Sequence, residues 1–226
     1  MASCSSAAGG PTTSHTDKQI PTSTPTPKAQ LTYVAIGASD TFGVGADDPS
    51  TENWAADLST NLGSHVHLVN LGIPGIVLHQ ALKAELPIAL DAHPQVITVW
   101  LAVNDLTSRV PLDSYTSDLN VLLTQLRKAA PTARIAIANV PDLTLLPVFS
   151  AMSLMDKPTL MKYIQAYNAI IASAAKQHGV LLVDLFAKWR ELDQHPEYIS
   201  NDGFHPSTLG YARIAEIFYQ TLKAAS

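Results

Sequence analysis

The sequence is organised around residues 34–43, which read Val34-Ala35-Ile36-Gly37-Ala38-Ser39-Asp40-Thr41-Phe42-Gly43. An apolar run over residues 31–36 ends at Gly37, and apolar runs of this length that end at glycine indicate buried strands. Ser39 follows just past the predicted carboxyl end of this strand. Open α/β sheets bind their ligands at that end. We therefore interpret Ser39 as a nucleophile.

Composition limits the classes of protein to which the chain can belong. Its 226 residues are enough for one domain with a substantial core. Hydrophobic residues make up 46% and charged residues 15%, which indicates a globular protein. A net charge of -5 without any Lys/Arg cluster argues against nucleic acid as the main partner. No apolar run approaches the roughly 18 residues that a membrane span needs.

The Cys and His residues do not follow the spacing of a metal site. Cys4 is the single cysteine, so an internal disulfide cannot form. The Cys and His spacings also do not match a structural zinc site. His65 and His67 lie two residues apart on one face of a predicted strand. We interpret both as surface or packing residues rather than metal ligands.

The first 29 residues differ in composition from the rest of the chain. They are rich in Ser, Thr, Pro, Gly and Ala without hydrophobic periodicity, so we predict a flexible tether before a domain over residues 30–226. Met1-Ala2-Ser3-Cys4 resembles the end of a bacterial lipoprotein signal without its hydrophobic segment. Two interpretations stay open: a lipidated Cys4 that anchors an extracytoplasmic protein to a membrane surface, or an ordinary cysteine in a tail.

Strands and helices alternate along the predicted domain. We predict strands over residues 31–36, 65–71, 95–103, 134–140 and 180–185. We predict helices over residues 52–62, 76–84, 85–92, 115–130, 159–178 and 207–224. The absence of short hairpin signals favours a parallel sheet between helices, an α/β/α sandwich. Five strands suit the flavodoxin-like order 2-1-3-4-5, in which the loops after strands 1, 2 and 3 meet at one crevice.

The side chains delivered to this crevice fit an acyl transfer. Ser39, Gly72 and Asn104 follow strands 1, 2 and 3, while Asp202 and His205 precede the last helix. A serine hydroxyl needs a base to remove its proton, which His205 can supply, and Asp202 can hold the tautomer of the imidazole. The oxyanion of the tetrahedral intermediate needs hydrogen-bond donors, and the backbone N–H groups of Ser39 and Gly72 with the Asn104 amide supply three.

These residues resemble the sequence blocks of the SGNH hydrolase superfamily, also called GDSL-type esterases and lipases. The resemblance covers roughly residues 31–224, and it is carried by Ser39, Gly72, Asn104 and the run Asp202-Gly203-Phe204-His205-Pro206. It implies a serine ester hydrolase that uses no metal or cofactor. Two departures concern loop geometry and substrate preference more than activity. They are Gly37-Ala38-Ser39 in place of Gly-Asp-Ser, and Ala102-Val103-Asn104-Asp105 in place of Gly-x-Asn-Asp.

Some polar residues near these blocks receive structural interpretations. We interpret Asp40 as a cap of the turn after strand 1 and Asp105 as a residue that orders its loop. The apolar segment over residues 143–155 either walls an acyl pocket, covers the crevice as a lid, or folds onto the core. A nucleotide site is disfavoured, because residues 37–45 lack the spacing of a dinucleotide or phosphate loop.

The sequence thus predicts a serine esterase acting on short- to medium-chain carboxylic esters, whether small-molecule, lipid or glycan esters. A carbohydrate acetylesterase and a non-catalytic lipid- or sugar-binding lipoprotein of the same fold remain alternatives. We expect a location outside the cytoplasm, as a secreted or lipid-anchored protein. Since His205 must be neutral to act as a base, activity should fall below about pH 6.5 unless the pKa of His205 is shifted.

Overall fold

The sheet has the strand order that the alternation of elements predicts. The structure, a computed structural model, describes residues 31–152 and 156–224 together with Met1 and Ser3, so the predictions for Cys4 and the tether lie outside it. Five parallel strands form one sheet in the order 2-1-3-4-5, which confirms the predicted α/β architecture. They are β1 (Leu31–Gly37), β2 (Val66–Asn70), β3 (Val96–Trp100), β4 (Arg134–Ala138) and β5 (Leu181–Val183).

Helices cover both faces of this sheet. They are α1 (Ser39–Phe42), α2 (Trp54–Leu62), α3 (Leu78–Ala84), α4 (Leu86–Asp91), α5 (Val103–Thr107), α6 (Leu112–Ala129), α7 (Asp156–His178), α8 (Leu185–Lys188) and α9 (Thr208–Ala224). Helices α2 and α9 pack together, while α3, α4, α6 and α7 contact one another in turn. Right-handed crossovers place these two groups on opposite faces. None of the helices within the described residues is long and apolar enough to cross a membrane.

The centre of the sheet is buried on both faces. All five residues of β3 are buried, and β1 is buried from Tyr33 onwards, as expected for strands between two helical layers. In the register of the sheet, Gly37 lies beside Trp100, so β1 and β3 end together. The Trp54 ring lies edge-on to Trp100 and stacks on Phe218, which fixes α2 and α9 beneath this end of the sheet.

The strand predicted over residues 95–103 is too long. Strand β3 ends at Trp100, and the apolar residues that follow lead into α5, which begins at Val103. Leu101 and Ala102 are buried like the strand itself, and a continuous apolar run does not distinguish a strand from a buried helix start. Ala102 turns the chain with a φ of 153°, in a region that side chains rarely adopt.

Three other strands also end earlier than predicted, and the first of them, β2, ends at Asn70 rather than at residue 71. Strand β4 ends at Ala138 rather than at residue 140, and β5 ends at Val183 rather than at residue 185. Asp184 accepts a hydrogen bond from the backbone N–H of Ala187, and this interaction caps the start of α8. The short helix α1 is a further difference, since the residues after Ser39 suggest only a turn.

Candidate active site

Ser39, His205 and Asp202 form one hydrogen-bonded chain at the carboxyl end of the sheet. The Ser39 Oγ lies 3.0 Å from His205 Nε2, and His205 Nδ1 lies 2.6 Å from Asp202 Oδ2. Ser39 is the first residue of α1, directly after β1, whereas the other two lie on the turn before α9. The three side chains therefore come together across 163 to 166 residues of chain only because β1 and α9 share this edge.

A compact turn holds Asp202 and His205 in their relative positions. Asp202 Oδ1 accepts hydrogen bonds from the backbone N–H groups of Phe204 and His205 and from the hydroxyl of Ser200. The Ser200 N–H donates to the carbonyl of His205 and closes the turn. Gly203 has a φ of 74°, which side chains rarely adopt, so glycine permits the turn.

These hydrogen bonds control the ionisation of Asp202. Partial burial acts to raise the pKa of this carboxyl group. The hydrogen bonds from His205, from the N–H groups of Phe204 and His205 and from Ser200 outweigh burial and hold the pKa well below its ordinary value. Asp202 is therefore a carboxylate at neutral pH, and its charge faces the nitrogen of His205 that lies away from Ser39.

The three predicted oxyanion donors differ in the acceptors to which they donate in the structure. The backbone N–H of Ser39, at the first position of α1, donates to no acceptor within the described residues. Asn104 donates one amide hydrogen to the carbonyl of Ile76 over 2.9 Å and retains a second. The Gly72 N–H instead donates to Asn70 Oδ1 over 3.0 Å.

Gly72 is required for a reason other than the one that the sequence suggests. A residue without Cβ there should let a substrate approach its backbone. In the structure, an added Cβ would lie 2.3 Å from the backbone nitrogen of Phe42 and 2.7 Å from the backbone carbon of Thr41. The glycine therefore lets the loop after β2 pack directly against α1.

Asn70 links the same two segments and was missed as a site residue. Its amide donates to the carbonyl of Thr41 over 2.7 Å, while its Oδ1 accepts from Gly72. It thereby ties the end of β2 to the helix that begins with Ser39. The only sequence signal was its position immediately before the loop of Gly72.

Asp40 is a second carboxyl group close to His205. It follows Ser39 in α1, is half-buried, and borders a small cavity together with Trp100, Phe204 and Pro206. Burial raises the pKa of Asp40 to about 6, against the opposing effects of His205 and of the backbone. The residues around Asp40 therefore position its carboxyl group, whereas the hydrogen-bonded turn positions that of Asp202.

Two buried acidic residues support the loops rather than the reacting groups. Asp105 is 1% exposed, and both its oxygens accept from the N–H of Leu78, at 3.2 and 3.1 Å, so it ties α5 to the start of α3. Burial, partly offset by this hydrogen bond, raises its pKa to about 6. Glu85 is equally buried at the junction of α3 and α4, and burial raises its pKa to about 8, partly offset by the backbone of Gly37.

A groove of about 610 Å³ lies between α5, the segment after β4 and α7, and none of Ser39, Asp202 and His205 lines it. Its walls come from the end of α5 and the following loop, from the segment after β4, and from the start of α7. They are mostly apolar and include Leu106, Val110, Leu112, Phe149, Leu160 and Tyr167. Phe149 meets Phe204 edge-to-face at 6.3 Å, and Phe204 meets His205 in the same way at 5.0 Å. The groove is therefore connected to the site through aromatic contacts.

The segment after β4 divides between the core and the site. Leu143 and Leu146 are buried, whereas Val148 is exposed and Phe149 lines the groove. Its two short 3-10 helices, Leu143–Leu145 and Pro147–Phe149, lie against the turn of His205, because the N–H of Val148 donates to the carbonyl of Gly203. The predicted lid or pocket wall includes residues 153–155, which lie outside the described residues.

The described part of the chain contains no cluster of three or more His, Cys, Asp or Glu side chains arranged to bind a metal ion. His67 is an exposed residue of the edge strand β2, and His65 precedes that strand.

The chain belongs to the GDSL-like lipase/acylhydrolase family, because the model of this family matches residues 35–213. The match begins within β1, ends within α9, and includes every residue of the site described above. The lipases and acylhydrolases of this family are hydrolases, and an esterase is among the relatives of this chain.

One curated relative and two solved structures illustrate the similarity. The chain is 27% identical over 227 residues to an acetylxylan esterase of Xylanibacter ruminicola, with 89% of this chain and 45% of that protein covered. It therefore spans less than half the length of that relative. It superposes on the crystal structure of TesA with a TM-score of 0.68 and 22% identity, covering 87% of this chain and 100% of the other. For a Clostridium thermocellum family 3 carbohydrate esterase, the TM-score is 0.63, the identity is 22%, and the coverage is 86% and 98%.

Proposed function

We propose that this chain is a serine ester hydrolase in which Ser39 is the nucleophile. The alignment of Ser39 Oγ, His205 and Asp202 over 3.0 and 2.6 Å is the observation that carries the proposal. A hydroxyl in contact with an imidazole that is itself held by a carboxylate is the arrangement that activates serine for acyl transfer. Ser39 lies at the carboxyl end of the central strand, where open α/β sheets bind their ligands.

The reaction proceeds in two halves. His205 Nε2 takes the proton of Ser39 as Oγ attacks the carbonyl carbon of the ester, and the resulting imidazolium protonates the departing alcohol oxygen. An acyl-enzyme on Ser39 remains. His205 then takes a proton from a water molecule that attacks the acyl carbon, and it returns the proton to Ser39 Oγ as the carboxylic acid leaves. The charge of Asp202 stabilises the imidazolium in both halves.

The oxyanion is stabilised by the backbone N–H of Ser39 and the free amide hydrogen of Asn104. Both donors are available without rearrangement of the chain. The Gly72 N–H joins them only when it leaves or shares the Oδ1 of Asn70. Of the three donors, Gly72 is therefore the one whose contribution depends on a change in its hydrogen bond to Asn70.

Hydrolysis of nitrophenyl esters by the purified full chain tests this function. We expect turnover by the wild type and a loss of at least about 10⁴-fold in kcat for Ser39→Ala. Ser64→Ala, on an exposed turn before β2, is the matched control and should retain full activity. If the wild type hydrolysed no ester of any chain length, the non-catalytic lipid- or sugar-binding alternative would replace this proposal.

The groove supports short- to medium-chain acyl groups as the preferred substrates. Its volume of about 610 Å³ and its apolar walls exceed what an acetyl group requires. A ratio of kcat/KM for octanoyl over acetyl nitrophenyl esters above about ten would support this preference, since each buried methylene contributes roughly 0.8 kcal/mol. Leu160→Arg, in the groove wall, should lower this ratio without changing turnover of the acetyl ester.

A carbohydrate acetylesterase is the second candidate, and its support is the similarity to the acetylxylan esterase. This candidate predicts the reverse preference, with acetylated xylan hydrolysed faster than octanoyl esters. Release of acetate from acetylated xylan, compared with nitrophenyl octanoate at equal enzyme concentration, separates the two candidates.

The extracytoplasmic location and the lipid anchor remain predictions from Met1-Ala2-Ser3-Cys4. Mass spectrometry of the protein purified from membranes of its native host would test them. A diacylglyceryl group on Cys4 supports the anchor, and an unmodified thiol contradicts it.

A further inference from the structure

The turn that carries His205 is fixed within itself, but its position relative to Ser39 depends on other contacts. Hydrogen bonds inside the turn join Asp202 to the backbone and the ring of His205. Ser39 lies on a different segment, 166 residues away in sequence. The hydrogen bond of 3.0 Å between Ser39 Oγ and His205 Nε2 requires that the two segments keep a fixed separation. Some part of the chain must therefore hold them together.

The five residues after α1 begin at the nucleophile. We call residues 43–47 the brace. Its first two residues, Gly43 and Val44, donate their N–H groups to the carbonyl of Ser39 over 2.9 and 3.0 Å. Helix α1 has only four residues, so the brace starts within one helical turn of Ser39. A shift of the brace would therefore move the residue that carries the reacting hydroxyl.

Gly45, in the middle of the brace, lies directly against the turn of His205. Its φ is 97°, and an added Cβ would lie 3.0 Å from His205 Cβ and 2.6 Å from the carbonyl oxygen of Pro206. The same Cβ would lie 2.9 Å from the Oγ of Ser200, whose hydroxyl donates to Asp202. Glycine therefore lets the brace contact the turn at a distance that a side chain would prevent.

Helix α9 also holds the brace. The hydroxyl of the fully buried Tyr211 donates to the carbonyl of Val44 over 2.6 Å. Burial holds the pKa of Tyr211 well above its ordinary value, so the hydroxyl stays a donor. The N–H of Asp47 donates to Thr208 Oγ1 over 2.9 Å, and Thr208 begins α9. The brace is therefore tied to the element that follows the turn of His205 as well as to α1.

We infer that Tyr211 and Gly45 are positioning residues, which set the distance between Ser39 and His205 through the brace. This inference rests on the proposed ester hydrolysis and adds residues that touch neither the substrate nor the reacting atoms. Tyr211 fixes the brace on α9, and Gly45 lets the brace lie against the turn. A misplacement of about 1 Å at a reacting group lowers turnover by about 10²-fold. A displaced brace should therefore lower kcat and leave KM unchanged.

Gly45→Ala and Gly63→Ala form a matched pair of variants. Both glycines have a positive φ, of 97° and 133°, which alanine rarely adopts, so both variants should lose stability. An added Cβ meets the turn at Gly45, whereas at Gly63, after α2, it meets no atom of the described residues within 4 Å. With an acetyl nitrophenyl ester, we expect kcat to fall about 30- to 100-fold in Gly45→Ala and to stay within about twofold in Gly63→Ala, with KM unchanged in both.

Tyr211→Phe tests the brace even if Gly45→Ala fails to fold. It removes the hydroxyl that holds Val44 and keeps the buried ring. We expect kcat to fall about five- to tenfold, with KM again unchanged. Tyr33→Phe is the control, because it removes a buried hydroxyl that bonds to Thr98 within the sheet. Its kcat should stay within about twofold of the wild type.

Crystal structures of the wild type and the glycine variants measure the separation of Ser39 Oγ and His205 Nε2 without reference to turnover. We expect it to exceed about 3.5 Å in Gly45→Ala and to stay near 3.0 Å in Gly63→Ala. An unchanged separation in Gly45→Ala, or an equal loss of kcat in both glycine variants, would overturn the positioning role. A wild type that hydrolyses no ester, with the separation lengthened only in Gly45→Ala, would instead overturn the ester hydrolysis and support the positioning role.

Discussion

The turn that carries His205 and the buried surroundings of Gly37 hold their polar groups in opposite ways. On the turn, Asp202 accepts four hydrogen bonds although it is exposed. Around Gly37, the side-chain polar atoms of Thr41, Glu85 and Trp100 are buried and have no hydrogen-bond partner of ordinary geometry within the described residues. Each such atom costs roughly 1–3 kcal/mol.

This difference shows how side chains are oriented in the two regions next to Ser39, the turn of His205 and the surroundings of Gly37. Asp202 is exposed and has little packing to hold it, so hydrogen bonds fix its position and, through it, the position of the half-buried His205. Close packing dominates around Gly37, where an added Cβ would lie 1.9 Å from Thr41 Oγ1 and 2.9 Å from the carbonyl oxygen of Trp100. We therefore expect mutations on the turn to affect activity and mutations around Gly37 to affect stability.

Within this comparison, the largest expected effect is that of Asp202→Asn on activity. An amide at this position keeps the hydrogen bonds to the backbone but presents an N–H toward His205 Nδ1. The favoured tautomer of His205 then carries its proton on Nε2 and cannot accept from Ser39. We expect kcat to fall about 10³–10⁴-fold in ester hydrolysis, with little change in thermal stability at pH 7.

Asp48→Asn is the matched control for this prediction. Asp48 also lies on an exposed turn and accepts hydrogen bonds from the side chains of Ser50 and Thr51. It lies outside the site, so kcat should stay within about twofold of the wild type. A comparable loss in both variants would mean that the turn of Asp202 has no special part in activity.

The next effect concerns stability and comes from Glu85. Burial raises the pKa of Glu85 from 4.5 to about 8. The stability that its neutral form contributes is therefore fully present below about pH 4.5 and is lost as the pH rises through 8. Glu85→Gln removes this ionisation. We expect the variant to exceed the wild type in unfolding free energy by on the order of 2–3 kcal/mol at pH 9, and to differ little at pH 5.

Urea denaturation at pH 5, 7 and 9 measures this difference. Glu216→Gln on α9, where the carboxylate accepts from Gln220, is the control and should show no trend of this size. If the difference in unfolding free energy between the wild type and Glu85→Gln were the same at pH 9 and pH 5, Glu85 would have a partner in solution that stabilises its charge.

Ala102→Gly tests whether the backbone at Ala102, between the two regions, is strained. Ala102 is 2% exposed and holds a φ of 153° directly before α5, at the position where the family resemblance places glycine. Glycine adopts this conformation without steric cost. We expect a gain of about 0.5–1 kcal/mol in unfolding free energy, because relief of strain exceeds the loss of one methyl group.

Ala136→Gly in β4 is the opposite case. Ala136 is fully buried in a regular strand, so the same substitution should destabilise the protein by about 1 kcal/mol. Equal destabilisation by both variants, measured by urea denaturation, would contradict strain at Ala102.

The sequence predicts the fold and the reacting residues for a common physical reason. Strand order follows from alternating elements, and the site follows from polar residues placed where strands end. These are local signals, carried by Ser39, Asn104 and the run from Asp202 to Pro206. The predicted length of β3 was wrong because Leu101, Ala102 and Val103 continue the apolar run into a helix.

Other features depend on contacts between distant segments and leave no local signal. Glu85 stands in a helical stretch where a glutamate is normally exposed, and the backbone of Gly37 at the end of β1 lies against it in the folded chain. The groove is built from residues near positions 106–112, 149–152 and 156–167, so no single stretch indicates it. The hydrogen bond of Asn70 to Thr41 likewise joins the end of β2 to α1.

The smallest expected effect is that of Asp40→Asn, which lies between the two regions. Asp40 borders the same small cavity as Phe204 and Pro206 but makes no hydrogen bond to His205 within the described residues. Its pKa of about 6 leaves it ionised above that pH, where its charge favours the imidazolium of His205. We expect kcat/KM to fall about two- to fivefold at pH 8 and to be unchanged at pH 5.

The pH profile distinguishes this role from a structural one. Loss of the Asp40 charge should lower kcat/KM only above about pH 6, where the carboxyl group is ionised, whereas a packing defect would lower activity equally at every pH. The charge acts through space, so its contribution should be at least about a hundredfold smaller than that of the hydrogen-bonded Asp202. A loss in Asp40→Asn as large as that in Asp202→Asn would mean that burial, and not hydrogen bonding, orients His205.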